Sequence, residues 1–199
     1  MQAPTVIVLA AGRGERFKRS GGAMHKLDAM LAGLPVLERV LGAVAASGLP
    51  WHVVRREGAC PEGGMGDSIA RGVGATQDAA GWLILPGDLP LIDPGSLRRV
   101  AQALASKPVV VPSWKGQQGH PVGFRAECAQ ALMALGGDRG AAAIVRAYRD
   151  RDAVHALDLD DPGIAMDIDT QDDLAQAEAM LALARLRDWK MRDGQESNL

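Results

Sequence analysis

The chain has 199 residues, of which 47% are hydrophobic and 23% charged, a composition typical of a globular protein with a sizeable buried core. Its formal net charge of -2 excludes the strongly basic surface by which proteins bind nucleic acid or anionic membranes. We therefore expect a small-molecule partner, with no nucleic acid and no membrane.

The cysteines and the N-terminus bear on the cell compartment. Cys60 and Cys128 are far apart and lack the spacing of metal ligands, which is typical of reduced thiols in a cytosolic protein. The first residues lack a signal-peptide pattern, and no apolar run reaches the roughly 20 residues that cross a bilayer. These features predict a cytoplasmic protein, and they leave the role of Cys60 open.

The chain opens with a strand pattern followed by a glycine-rich, basic loop. Thr5 to Ala11 is short, apolar and β-branched, which is typical of a strand buried in a parallel sheet. Gly12 and Gly14 let backbone N–H groups approach an anion, and Arg16 and Lys26 supply positive charge. Phosphate is the ligand that this pattern favours; the alternative is a solvated basic turn.

The spacing of this loop excludes two common phosphate-binding motifs. A P-loop has Lys-Ser or Lys-Thr directly after its last glycine, which is absent here. A dinucleotide-binding fingerprint has a third glycine at the position that Phe17 occupies.

Strand and helix patterns alternate along the remaining chain. Periodicity and turn residues predict, in order, a helix from Val36 to near Ser47, strand Trp51–Val54, helix Ile69–Thr76, strand Gly81–Pro86, helix Gly95–Ser106, strand Val109–Pro112, an extended segment at 120–124, helices Glu127–Leu135 and Ala141–Tyr148, strand Ala153–Leu157 and a helix from Gln171 to about Arg187. This alternation predicts an α/β fold with three α/β/α layers, built on a mostly parallel, doubly wound, Rossmann-like sheet. We expect one domain over residues 1–188 and a disordered tail over 189–199.

Short polar residues at the predicted helix starts suggest N-caps. Asp67 or Ser68 suits the second predicted helix, and Asp93 suits the helix that follows it. Thr170 and Asp173 have the spacing of a capping box.

Polar loops are predicted to meet at one edge of this sheet. They are the loop from Gly12 to Lys26, Gly87-Asp88, and the acidic segment from Asp167 to Thr170. Loops that leave the carboxyl ends of parallel strands share one edge, where open α/β sheets bind ligands. Asp88 is a candidate Mg²⁺ ligand or a turn cap, and His120 is a ligand contact or an ordinary loop histidine.

Six segments taken together resemble the MobA-like nucleotidyltransferases, most closely the molybdenum cofactor cytidylyltransferases. The resemblance extends over nearly the whole chain and rests on residues 9–17 with Lys26, 64–68, 85–90, 119–124, 137–140 and 167–174. The family has the Rossmann-like nucleotidyltransferase fold. It implies transfer of a nucleoside monophosphate from an NTP to a phosphorylated acceptor, with release of pyrophosphate. The Ala-Ala-Gly form of the first loop favours CTP, and the implied acceptor is the molybdopterin cofactor.

The resemblance also assigns roles to residues. It implies catalytic roles for Arg16, Lys26 and Asp88, and a metal site at Asp88 and Asp169 that takes Mg²⁺, with Mn²⁺ as an alternative. The implied substrate-binding residues are Leu9, Ala10, Ala11, Gly12, Arg13, Gly14, Gly66, Ser68, Gly119, His120 and Pro121. A molybdoenzyme or a chaperone is an implied protein partner.

One departure from the family pattern concerns the lysine. Residues 18–25 separate Lys26 from the Arg16-Phe17 pair, and Lys18 stands where the family usually has glycine. Lys18 therefore competes with Lys26 for the phosphate role. Two alternative functions also stay open: transfer to a sugar phosphate or another phosphorylated small molecule, and nucleotide binding without turnover.

Overall fold

The structure is a computed structural model that describes residues 3–56 and 63–196, with side chains as far as residue 186. Cys60 lies outside the described residues, as do the last three residues of the expected tail.

The elements alternate much as the sequence predicts. The strands are β1 (Thr5–Ala10), β2 (Met30–Leu31), β3 (Leu34–Pro35), β4 (Trp51–Arg55), β5 (Gly81–Pro86), β6 (Val109–Trp114), β7 (Gln117–Gln118), β8 (Val122–Arg125) and β9 (Val154–Asp158). The α-helices are α1 (Glu15–Arg19), α2 (Val36–Ser47), α3 (Met65–Gly74), α4 (Pro94–Ala103), α5 (Ala129–Met133), α6 (Ala142–Arg149) and α7 (Gln171–Glu196).

Seven of the described strands form one mixed sheet. Its order is β4-β1-β5-β8-β6, and β7 and β9 both pair with β6. The pairs β1–β4, β1–β5 and β6–β9 are parallel, whereas β8 runs antiparallel to both of its neighbours. The predicted sheet, mostly parallel with an extended segment at 120–124, is confirmed. β2 and β3 form a separate hairpin.

Hydrophobic side chains pack on both faces of the sheet. Val6 and Val8 of β1 belong to one core, and Ile7 between them belongs to the other, because successive side chains of a strand point to opposite faces. Helices α2, α4 and α7 cover the first core, and α3, α5 and α6 cover the second. This gives the predicted three layers.

The prediction was wrong about the start of α3. Gly64 is its N-cap, so Asp67 lies at the third helical position and accepts a hydrogen bond from the Gly64 N–H at 2.8 Å. Asp93 does cap α4, where its carboxylate accepts from the Gly95 N–H. The predicted capping box is also present, since the N–H of Thr170 donates to Asp173 at 2.7 Å.

Several elements differ from prediction in existence or extent. The short helix α1 and the β2–β3 hairpin were not predicted, and α7 continues to Glu196, beyond its expected end near Arg187. The boundary of the domain at residue 188 and the tail over 189–199 stay predictions. In the described part of the chain, no helix is long and apolar enough to cross a membrane.

Candidate active site

Three chain segments meet at the carboxyl edge of β1 and β5. These strands are parallel neighbours, so the loops that follow them leave from the same edge. The Gly87 N–H donates to the Leu9 carbonyl at 2.9 Å, and the Ile168 N–H donates to the Asp88 carbonyl at 2.9 Å. The convergence that the sequence predicts is present, although the segment at 167–170 follows a short 3₁₀ helix (Pro162–Ala165) rather than a strand.

A histidine, His25, contacts the start of the glycine-rich loop after β1. Gly14 has a φ of 63°, the left-handed region that favours glycine, and a Cβ there would lie 3.2 Å from His25 Nε2. His25 Nε2 lies 2.8 Å from the Gly12 carbonyl oxygen, and the Leu27 N–H donates to Nδ1 at 3.3 Å. Because Nδ1 accepts, Nε2 is the nitrogen that donates to Gly12. Sequence reasoning missed this role, and the one available signal was that His25 precedes Lys26.

Lys26 is the centre of the charged group at this edge. Its Nζ lies 2.6 Å from Asp88 Oδ2 and 2.7 Å from Asp169 Oδ1, and its side chain is only 12% exposed. Burial alone would lower the pKa of the Lys26 ammonium, but the two carboxylates outweigh burial and hold this pKa above its usual value. Burial and charge also oppose each other at Asp169. Burial would raise the pKa of this carboxyl, but Lys26 and Arg16 outweigh burial and hold the pKa below its usual value.

Arg16 reaches the same group from α1. Phe17 is fully buried in the core and anchors this short helix, which leaves Arg16 on the exposed side. Arg16 Nη1 lies 2.5 Å from Asp169 Oδ2, and the Arg16 side chain is 76% exposed. The guanidinium is therefore positioned by the carboxylate and open to a ligand.

Two clefts share Lys26, Asp88 and Asp169 as part of their walls. The first cleft has a volume of about 560 Å³ and lies between the glycine-rich loop and the start of α3. Its walls include Leu9, Ala11, Gly12, Arg13, Gly14, Arg16, Gly63, Gly64, Met65, Ser68 and Asp138. The second cleft, about 450 Å³, is lined by Gly119, His120, Gln117, Gln118 and Asp167 among others. Two compartments thus meet at one charged group.

Most of the predicted site residues lie on these walls. Ala10 is half-buried and packs against the core, and Gly66 donates its N–H to the Gly137 carbonyl at 2.9 Å. Pro121 is buried. These three residues do not line either cleft. Lys18 is exposed and lines neither cleft, whereas Lys26 lines both.

His120 and Asp167 bring a neutral and an acidic side chain to the second cleft. Burial lowers the pKa of His120, and the nearby charge of Asp88 opposes this only in part. His120 Nδ1 is buried without a hydrogen-bond partner in the described residues, so this histidine is not an ordinary exposed loop residue. Burial raises the pKa of Asp167, and the charges of Asp88 and Asp169 add to the effect.

The residues present fit a divalent cation. Asp88 Oδ1 is buried and accepts no hydrogen bond within the described ranges, so a carboxylate oxygen is left for another partner. Mg²⁺ prefers such hard oxygens and commonly takes only one or two carboxylates from protein. No group of three or more His, Cys, Asp or Glu side chains in the described residues is arranged to hold a metal. Phosphate and water would therefore complete the coordination.

Solved structures share the fold of this chain. A nucleotidyl transferase from Methanothermobacter thermautotroptrophicus is 21% identical, with a TM-score of 0.76 over 92% of this chain and 99% of that one. Rv0371c from Mycobacterium tuberculosis, in a complex with manganese, is 23% identical, with a TM-score of 0.66 over 89% of this chain and 98% of that one.

Two sequence comparisons identify the family. A 2-C-methyl-D-erythritol 4-phosphate cytidylyltransferase from Cereibacter sphaeroides is 33% identical in an alignment of 162 residues, and the match covers 63% of this chain and 71% of that protein. The family model of the MobA-like NTP transferase domain matches residues 6–154. The chain belongs to the MobA-like NTP transferases, a family of nucleotidyltransferases.

Proposed function

We propose that this protein transfers CMP from CTP to the phosphate of a molybdopterin cofactor and releases pyrophosphate. The observation that carries the proposal is the position of Lys26, Asp88 and Asp169 where two clefts meet. Such a position suits a reaction in which a nucleotide in one cleft meets an acceptor in the other. The family resemblance of the first loop supports CTP, and that of the segment 119–124 supports a pterin acceptor.

The reaction requires one bond to form and one to break. An acceptor phosphate oxygen attacks the α-phosphorus of CTP, and the bond between that phosphorus and the bridging oxygen to the β-phosphate breaks. The electron pair leaves with pyrophosphate. A phosphate acceptor is already anionic at neutral pH, so catalysis needs positioning and charge neutralisation rather than a general base.

Charge neutralisation is the role we assign to the cations of the first cleft. Lys26 and Arg16 bind the β- and γ-phosphates and offset the charge that builds up on pyrophosphate as it leaves. The backbone N–H groups of the loop at 12–14 bind phosphate oxygens. Asp88 and Asp169 would hold Mg²⁺ or Mn²⁺, which would screen the negative charge of the phosphate oxygens.

A second candidate differs only in the acceptor. The relative from Cereibacter sphaeroides is by name a 2-C-methyl-D-erythritol 4-phosphate cytidylyltransferase. This similarity favours a phosphorylated sugar alcohol as the alternative acceptor, with the same nucleotide and the same charged group.

Release of pyrophosphate tests both candidates. We would incubate the full chain with Mg²⁺, each of the four NTPs, and either molybdopterin cofactor or 2-C-methyl-D-erythritol 4-phosphate. The expected result is release with CTP and molybdopterin, and loss of about 10²-fold or more in rate for Asp88→Ala. Release with the sugar-alcohol phosphate alone would favour the second candidate.

Two outcomes would overturn the proposal. If a folded Asp88→Ala variant turned over at the wild-type rate, Asp88 would have no catalytic or metal role. If the wild type bound CTP but released no pyrophosphate with any acceptor, the protein would be a nucleotide-binding protein without turnover.

A further inference from the structure

Four acidic residues line the first cleft, and three of them are paired. Glu15 lies 3.1 Å from Arg19, and Asp88 and Asp169 both lie against Lys26. The fourth, Asp138, is exposed and has no hydrogen-bond or ion-pair partner in the described part of the chain. A free carboxylate in a cleft for a triphosphate would repel the phosphates if it lay beside them, so its position within the cleft matters.

Asp138 belongs to the wall of the first cleft that the start of α3 forms. Lys26, Asp88 and Asp169 line both clefts, whereas Asp138 lines only the first. Its backbone lies against the start of α3, since a Cβ on Gly64 would come within 2.5 Å of the Asp138 nitrogen. If the phosphates lie against Lys26 and Arg16, as in the proposed function, the nucleobase would extend toward the start of α3 and Asp138.

The loop that carries Asp138 is held in place by its neighbours. Asp67 Oδ2 accepts from the Gly137 N–H at 2.8 Å and from the Gly64 N–H at 2.8 Å. The Gly66 N–H donates to the Gly137 carbonyl at 2.9 Å. Asp67 therefore connects the start of α3 to the loop at 136–140. The Ser68 hydroxyl is also occupied, since it donates to the Gly64 carbonyl at 3.1 Å. Asp138 is the acidic side chain of this wall that is left for a ligand.

We propose that Asp138 selects cytosine by accepting a hydrogen bond from its exocyclic amino group. The inference rests on the proposed function, because it requires the first cleft to hold a nucleotide. An ionised carboxylate is only an acceptor. Cytosine presents an N4 amino donor, whereas uracil presents an O4 acceptor at the same position, so the carboxylate attracts one base and repels the other.

Equilibrium binding tests the selection without knowledge of the acceptor. We would titrate the full chain, with Mg²⁺, against CTP, UTP and the triphosphate of pyrimidin-2-one riboside, which lacks the amino group. The wild type should bind CTP about 10-fold more tightly than either other nucleotide, which is the range of a hydrogen bond to a charged group. Asp138→Ala should remove the preference for CTP.

Two further variants sharpen the test. Asp138→Asn should bind UTP more tightly than Asp138→Ala does, because a carboxamide N–H can donate to O4. Asp150→Asn is the matched control: it makes the same change in charge at an exposed residue that lines neither cleft, and it should keep the wild-type preference.

The outcomes separate the inference from the proposed function. If the wild type prefers CTP and Asp138→Ala keeps the same ratio of affinities, the role of Asp138 is overturned while CTP binding stands. If the wild type binds CTP and UTP equally, the selection is overturned while nucleotide binding stands. If the wild type binds no nucleoside triphosphate, the proposed function fails, and the inference fails with it.

Discussion

Lys26 and Lys18 differ sharply in their surroundings, although both follow the glycine-rich loop. Lys26 is 12% exposed and contacts two carboxylates, whereas Lys18 is exposed on α1. We expect Lys26→Ala to lower kcat/KM for CTP by about 10²-fold, since it removes a buried cation from the proposed phosphate site. Steady-state kinetics of pyrophosphate release would measure this.

Lys18→Ala is the matched control for that variant. It makes the same substitution eight positions earlier, and Lys18 lines neither cleft, so its kcat/KM should stay within about 3-fold of wild type. If Lys18→Ala were the more damaging of the two, Lys18 would be the residue that binds the phosphates, and the assignment to Lys26 would be wrong.

At the level of single residues, the sequence identified charged groups better than the contacts that position them. Asp88 was identified because it follows a predicted strand at the edge where open α/β sheets bind ligands, and Asp169 because the family resemblance implies a second carboxylate. The role of His25 depends on the Gly12 carbonyl, which the chain reaches only by folding back over 13 residues. No local pattern encodes such a contact, so it could not be predicted.

The start of α3 depends on a distant loop. Asp67 accepts hydrogen bonds from Gly64, in its own turn, and from Gly137, which is 70 residues away. Asp67→Ala should lower the free energy of unfolding by about 1–3 kcal/mol, because it leaves two N–H groups without their acceptor. It should also raise the Kd for CTP more than it changes kcat, since the loop contacts the proposed base end of the cleft.

Asp67→Asn provides the control, because its amide oxygen can still accept from both N–H groups. Chemical denaturation and CTP titration would compare the two variants. If Asp67→Ala changed neither stability nor affinity, the link between α3 and the loop at 136–140 would have no energetic role.

Among the elements, the ones that the sequence missed are short. The helices α2, α4 and α7 have 12, 10 and 26 residues and were predicted, whereas α1 has five residues and one buried side chain. The strands β2 and β3 have two residues each and show no period. The start of α3 was misplaced because the side-chain donors and acceptors nearby pointed to Asp67 or Ser68, whereas the cap is a glycine.

In the whole molecule, one antiparallel strand brings the second cleft to the same edge as the first. β8 lies between β5 and β6 and runs opposite to both, so it begins at the edge where β5 and β6 end. Gly119 and His120 precede β8 and therefore lie beside Asp88. The sequence predicted an extended segment here but not its place between two strands, because strand order depends on long-range pairing.

Binding of nucleotide and metal should stabilise the whole fold, since the proposed ligands contact β1, β5 and the segment before α7 together. CTP at about 100 times its Kd adds about 2.7 kcal/mol to the free energy of unfolding. For a chain of this size this corresponds to a rise in Tm of about 5–10 °C.

We expect this rise with CTP and Mg²⁺, and a smaller one with CTP and EDTA, because Lys26 and Arg16 still bind phosphates while Asp88 and Asp169 lose their cation. Asp88→Ala should show the smaller rise under both conditions. An equal rise for the wild type with Mg²⁺ and with EDTA would contradict a metal role for the two carboxylates, and it would leave Lys26 and Arg16 as the cations that they contact.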